Sequence, residues 1–207
     1  MRKVKLPYTV GYGMTECAPL LSYAPWKQFK AGSCGRAVDG LDLRIDSDNP
    51  QKKVGEIQAK GPNVMIGYYK NEEATRAAFT EDGYLRTGDL GIIDKSGNVF
   101  IRGRSKCMIL TANGQNIYPE EVEALLNTMP HVAESLIVER DKRLVALGAL
   151  PAEDLEREEA TVKAELEDVR QETNMLLPAY SQISSVEIIR EGFQHTPKQS
   201  IKRFLYQ

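Results

Sequence analysis

The sequence predicts an α+β fold in two parts, and three observations carry that expectation. Up to residue 102, short apolar runs, several alternating with period two, are cut by glycine turns, as in half-buried antiparallel strands. Beyond 117, apolar runs alternate with two long helical patterns, which makes the second half β-α-β-β-α-β, a compact α+β unit. Between these halves, residues 103–123 hold a loop, the apolar trio Met108-Ile109-Leu110, a glycine turn at Gly114 and a helix start at Pro119-Glu120-Glu121. Proline loses no bond at the first helical position, and carboxylates suit the positive end of the helix dipole. The stretch has the form of a joint between two domains.

The 207 residues are 42% apolar, enough for a real core in one large domain or two small ones. A net charge of −2 and a pI near 5.8 provide no basic field for nucleic acid. Apolar runs such as 144–150 are too short to span a bilayer, and Met1-Arg2-Lys3-Val4-Lys5 lacks the apolar segment of a signal peptide. Cys17, Cys34 and Cys107 match no metal spacing and are expected as reduced thiols in a cytoplasm. His131 and His195 are expected at surface or turn positions, too far apart in sequence to suggest a zinc site or a catalytic triad.

Taken in order, Tyr8 to Glu16 reads as a short strand breaking into a Gly-x-Gly loop. Such a loop lets backbone approach a flat or anionic ligand, while Thr15 offers a hydroxyl and Glu16 a hard oxygen for magnesium. The same letters also suit a turn followed by a helix start. Leu41 to Asp46 and Val54 to Ala59 are strands joined by turn chemistry at Asp48-Asn49-Pro50, and Asn71 to Phe79 is a short helix with Ala74, Ala77 and Ala78 on one side. Gly88 allows a tight turn that leaves Asp89 at its lip, where two carboxylate oxygens match two ribose hydroxyls or cap the turn itself. Leu90 to Asp94 and Asn98 to Arg102 form a hairpin around Lys95-Ser96-Gly97.

Past the joint, Tyr118 to Asn127 is a helix with Val122, Leu125 and Leu126 inward, closed by Pro130. Ala133 to Glu139 and Leu144 to Leu150 pair through Arg140-Asp141-Lys142-Arg143. Glu153 to Leu176 is a long acidic helix with a stripe of Leu155, Val162, Leu166 and Val169, its charge a solvated face. Ile183 to Ile189 is a last strand, followed by a polar tail from Gln194 to Arg203.

Three separated motifs now read together. Gly-Tyr-Gly-Met-Thr-Glu at 11–16, Gly-Tyr-Leu-Arg-Thr-Gly-Asp at 83–89, and Gly103-Arg104 followed by Ile109, Gly114, Pro119 and Glu123 resemble, in order and spacing, the core motifs of the adenylate-forming enzymes. That superfamily holds acyl-CoA synthetases, peptide-synthetase adenylation domains and luciferase. The stretch from Ala112 to Glu123 looks most like long-chain fatty acid CoA ligases. The resemblance implies that 1–104 is the end of the large AMP-binding domain, antiparallel, β-rich and distorted barrel-like, and that 105–207 is a mobile C-terminal lid. The implied reaction joins a fatty acid to CoA at the expense of ATP, through an acyl-adenylate and with Mg2+.

Carried over by position, Tyr12 would lie against adenine with Gly13 beside it, Thr15 would contact phosphate, and Glu16 would hold magnesium. Asp89 would bind the ribose hydroxyls beside Arg104, Lys106 would be the hinge, and Gly114 would lie where the CoA arm enters. The family's phosphate loop precedes these motifs, and only ten residues precede Gly11, so the chain is expected to be the C-terminal part of a longer ligase and inactive alone. A peripheral membrane contact would then run through an N-terminal part. In the tail Ser200 takes the position of the family's catalytic lysine; in an extended tail Lys198, Ser200 and Lys202 share one face, so Lys202, or else Lys198, is expected to serve. Two alternatives are an adenylating enzyme that loads a carrier protein and a nucleotide-binding module without chemistry.

Overall fold

The computed structural model describes residues 7–111, 114–197 and 199–207. The chain divides into two compact units, Met1–Lys106 and Cys107–Gln207.

The strands of the first unit are all antiparallel. β1 (Gly11–Gly13), β2 (Leu20–Tyr23) and β3 (Arg36–Ala37) form one sheet, and β4 (Asp42–Asp46), β5 (Gly55–Lys60), β6 (Leu85–Ile93) and β7 (Val99–Arg104) form a second in that order. Hydrogen bonds from Cys34 N–H to Val99 O and from Val99 N–H to Gly35 O, 2.8 Å each, stitch the two together. Tyr12, Cys17 and Leu21 from the first sheet then pack with Ile45, Ile57, Leu85 and Val99 from the second in a single core. Ile57, Leu85 and Val99 are fully buried, each worth about 1.5–3 kcal/mol against exposure. The only helix described here, α1 (Glu72–Ala78), starts at Asn71, whose Oδ1 accepts the Ala74 N–H at 3.0 Å. Ala74, Thr75 and Ala78 are half-buried, whereas Ala77, expected on the inner side, is exposed.

In the second unit β8 (Ile109–Leu110) and β9 (Asn116–Ile117) make a small hairpin ahead of α2 (Pro119–Leu126). β10 (Glu134–Arg140) and β11 (Arg143–Ala149) are antiparallel through a turn with positive φ at Asp141 and Lys142, and β12 (Ile183–Ile188) joins β11 in parallel. That parallel pair is the crossover made by α3 (Glu159–Leu176). One face of the sheet packs Ile137, Leu144 and Ala146 with Val122, Leu126 and Val169 from the helices.

Two further expectations change in the second unit. The long helix begins at Glu159 rather than Glu153, because buried Asp154 binds Arg157 at 2.7 Å and His131 at 2.8 Å and makes a separate 3-10 turn over Ala152–Asp154. Leu155 therefore leaves the stripe and is 39% exposed. The tail, read as polar and extended, instead covers the sheet's other face: Phe193 is buried with Leu136, Val138, Val145 and Leu147, and Ile201 and Tyr206 pack on them. Thr196 N–H to Ser200 O at 2.8 Å, the His195–Ile201 bridge and a positive φ at Gln199 fold it back on itself.

Candidate functional site

The first unit gathers its motif residues at a break in β6. Against β5, Gln58 faces Arg86 and Glu56 faces Leu90, so Thr87, Gly88 and Asp89 together oppose Ile57 alone. Such a bulge lifts residues out of the ladder and re-aims their side chains. Three bonds hold it: Thr87 Oγ1–H to Ile57 O at 2.7 Å, Asp89 N–H to Thr87 Oγ1 at 3.1 Å and Gly88 N–H to Glu56 Oε1 at 3.2 Å. Gly88 takes φ +73°, a conformation that favours glycine. Ser105 N–H donates to Gly88 O at 2.9 Å, fixing the end of β7 on the bulge.

Asp89 is 6% exposed and lies between two motif residues. The Tyr12 hydroxyl donates to Oδ2 at 2.8 Å, and Arg104, its pairing partner across β6 and β7, places Nε 2.8 Å from Oδ1. Burial first, and the Asp89 carboxylate second, push the Tyr12 phenol well above its ordinary range, so it remains the donor. The Arg104 side chain is 61% exposed and forms the solvent side of the cluster. Each Asp89 oxygen, with one protein donor, retains lone-pair capacity for a second. Tyr12 is 6% exposed and its ring belongs to the core, so protein covers most of its faces.

Thr15 and Glu16 open a 3-10 turn, Thr15–Cys17. Glu16 is fixed through its backbone, whose carbonyl accepts the Met65 N–H at 2.7 Å, and through its side chain, where Tyr68 O–H donates to Oε1 at 3.1 Å. Its Oε2 accepts no hydrogen bond from the described residues. One carboxylate suits magnesium that arrives on phosphates and keeps its waters. Among the described residues no group of three or more histidine, cysteine or acidic side chains could hold a metal unaided. Gly13 has a structural reason to be glycine: a Cβ there would lie 2.1 Å from the Pro19 carbonyl oxygen.

Lys106 is the last residue of the first unit. In the second, Gly114 holds φ +74° with no atom within 4 Å of where a Cβ would stand. Its N–H donates to Thr111 O at 2.9 Å in the β8–β9 connection. Lys202 is half-buried ahead of the 3-10 turn Arg203–Leu205, and its N–H donates to Gln194 O at 2.8 Å. Lys198 lies outside the described residues.

Sequence reasoning missed Thr87, Glu56 and Tyr68, which hold the site, and the pairing of Glu123 with Arg203. A hydroxyl two residues before Asp89 was the one local signal. The partners of Glu123 and Glu16 lie 80 and 52 residues away, where no local pattern reaches.

With this geometry in hand, the chain matches the "AMP-binding enzyme" family over residues 2–69 and the "AMP-binding enzyme C-terminal domain" over 106–206. It is 41% identical over 141 residues to a probable 4-coumarate–CoA ligase of Dictyostelium discoideum, covering 66% of this chain and 25% of that protein. It is 38% identical over 140 residues to a long-chain-fatty-acid–CoA ligase of Mycobacterium bovis, covering 68% of this chain and 22% of that one. The chain thus spans about a quarter of the length of these curated relatives. Among solved structures it resembles O-succinylbenzoate coenzyme A synthetase of Bacillus subtilis in complex with ATP and magnesium, with TM-score 0.82, 29% identity, and coverage of 98% of this chain and 42% of that one. Among the described residues no helix is long and apolar enough to cross a membrane.

Proposed function

This chain belongs to the AMP-binding enzyme superfamily, and from that membership we propose that it forms the C-terminal part of an ATP-dependent acid–CoA ligase with a fatty acid as its acid. The observation that carries the proposal is the convergence of Tyr12 and Arg104 on the Asp89 carboxylate, three residues from three separated motifs. In the proposed reaction the acid's carboxylate oxygen attacks the α-phosphorus of ATP and pyrophosphate leaves. The CoA thiol then attacks the acyl carbon, and AMP leaves with the bonding electrons.

Each residue has a proposed part. Asp89 accepts from the ribose hydroxyls, with Tyr12 setting one of its oxygens and Arg104 closing the solvent side. Thr15 would meet phosphate, and Glu16, oriented by Tyr68, would hold magnesium. The metal, when bound, neutralises charge gathering on the phosphates. Lys202 adds positive charge during adenylation, whereas transfer to thiol has no use for it. Residues 105 onward act as a lid turning at Lys106, and the open left-handed turn at Gly114 leaves room for the CoA arm.

The test is ATP-dependent thioester formation by the full-length reading frame and by this chain, offered 4-coumarate, succinylbenzoate and fatty acids from short to long. Thioester from the full-length protein alone, best with long fatty acids, is the expected result. AMP release only with an added carrier protein would replace CoA as acceptor, and no adenylation of any acid would leave a binding module.

A further inference from the structure

Lys202 and Arg203 are consecutive yet differently placed. Among the described residues the Lys202 ammonium has no hydrogen-bond or ion-pair partner. Arg203 has two: its guanidinium, 19% exposed, pairs with Glu123 Oε2 and lies 4.0 Å from Glu120 Oε1. Glu123 is 8% exposed on α2, and its other oxygen accepts the Ile137 N–H at 2.7 Å. β10, which carries Ile137, is an edge strand, so Glu123 caps a donor that no strand satisfies. One carboxylate thereby connects α2, the sheet edge and the tail.

Other contacts also hold the tail to the sheet. Phe193, Ile201 and Tyr206 already hold it to the sheet, the Phe193 and Tyr206 rings meet edge-on at 5.1 Å, and Tyr206 Oη accepts the Gln194 N–H at 2.8 Å. His195 Nε2 adds a contact to Glu134 at 2.9 Å. Those contacts set the path of the tail, and none of them involves the side chain of residue 202 or 203. Arg203 supplies that last constraint, in a covered place where solvent screens little. Burial pushes the Glu123 carboxyl up while Arg203 holds it back, and losing the guanidinium would leave that buried acid without its cation.

We infer that Arg203 is a positioning residue: its pair with Glu123 fixes the tail where α2 meets the edge of β10, so that Lys202 presents its ammonium from one place. The inference rests on the proposed part of Lys202 in adenylation. The lysine needs reach, and the arginine needs a rigid planar hold, which divides the two cations by chemistry.

The test uses the full-length protein with K202M, R203M and the double variant. ATP–pyrophosphate exchange reads adenylation, and capture of added acyl-adenylate by CoA reads transfer. K202M and R203M should each slow exchange by about tenfold or more, and the double variant by no more than K202M, since a misplaced group loses what a missing one loses. Transfer and the KM for ATP should stay within about threefold, R203K should recover part of the loss, and E123Q, which keeps an acceptor for the Ile137 N–H, should resemble R203M. Losses that multiply in the double variant, or a transfer rate that falls with exchange, overturn the inference alone. Wild-type exchange by K202M removes Lys202 from the reaction, and the inference falls with it.

Discussion

The hydroxyl of Tyr12 and the Oδ2 of Asp89, 77 residues apart in sequence, are 2.8 Å apart in the fold. Both groups are buried, so the bond matters to folding as well as to any ligand. Tyr12→Phe should cost the chain about 1–3 kcal/mol in urea denaturation, because it leaves a buried carboxylate oxygen short of a donor. In the full-length protein Asp89→Ala should lower kcat/KM for ATP at least tenfold, roughly 1.4 kcal/mol or more. Wild-type kinetics from a folded Asp89→Ala protein would take Asp89 out of the ribose site.

Two motif glycines should respond differently to a methyl group. Gly13→Ala drives its Cβ into the Pro19 carbonyl, which is backbone and cannot swing aside, so the loss should reach about 2 kcal/mol or more. Gly114→Ala meets open space and only the left-handed backbone penalty, about 1 kcal/mol. Thermal melts of the two variants decide it; equal losses would mean that the 11–20 segment relaxes around the intruding carbon.

Cys17 should be silent to alkylation in the folded chain. It is fully buried, and burial first, then Glu16, pushes its thiol up to about 11, so little thiolate exists at neutral pH. Iodoacetamide labelling followed by peptide mass spectrometry should modify Cys17 only as fast as the first unit unfolds. Rapid labelling without denaturant would show that the turn over Thr15–Cys17 opens by itself.

The β6–β7 hairpin should carry an acid-sensitive clasp at Asp94. Lys30 first, and then the Asn98 and Ser96 N–H groups, hold the Asp94 carboxyl well below the usual carboxylate range. A depressed folded value means that the stabilisation is complete above the unfolded value and is lost as pH falls through the folded one. Asp94→Asn should therefore lower the melting temperature at neutral pH and flatten the acid side of the stability curve. A parallel shift at every pH would show that Asp94 acts by shape alone.

Local pattern was enough for most of the fold. Period-two runs placed β4 and β5, Lys95-Ser96-Gly97 placed the β6–β7 turn, and Pro119 with two glutamates placed the start of α2. Period and cap chemistry failed where a distant partner changed the local outcome. Asp154 turns away from the helix because His131, 23 residues earlier, and Arg157 take its oxygens. The tail folds because Phe193, Ile201 and Tyr206, too sparse to show a period, find an uncovered sheet face.

The sequence by itself determined the two-part α+β order, the letters of the three motifs and hence the superfamily, because strand alternation, helix caps and motif spacing are properties of neighbouring residues. Only the tertiary structure decided that Thr87, Gly88 and Asp89 bulge against Ile57, that Tyr12 and Arg104 take one Asp89 oxygen each, and that Glu123 is buried to receive Arg203. Those pairings depend on which strand lies beside which and on what burial leaves unsatisfied, and a carboxylate out of water takes whatever donor the fold brings to it.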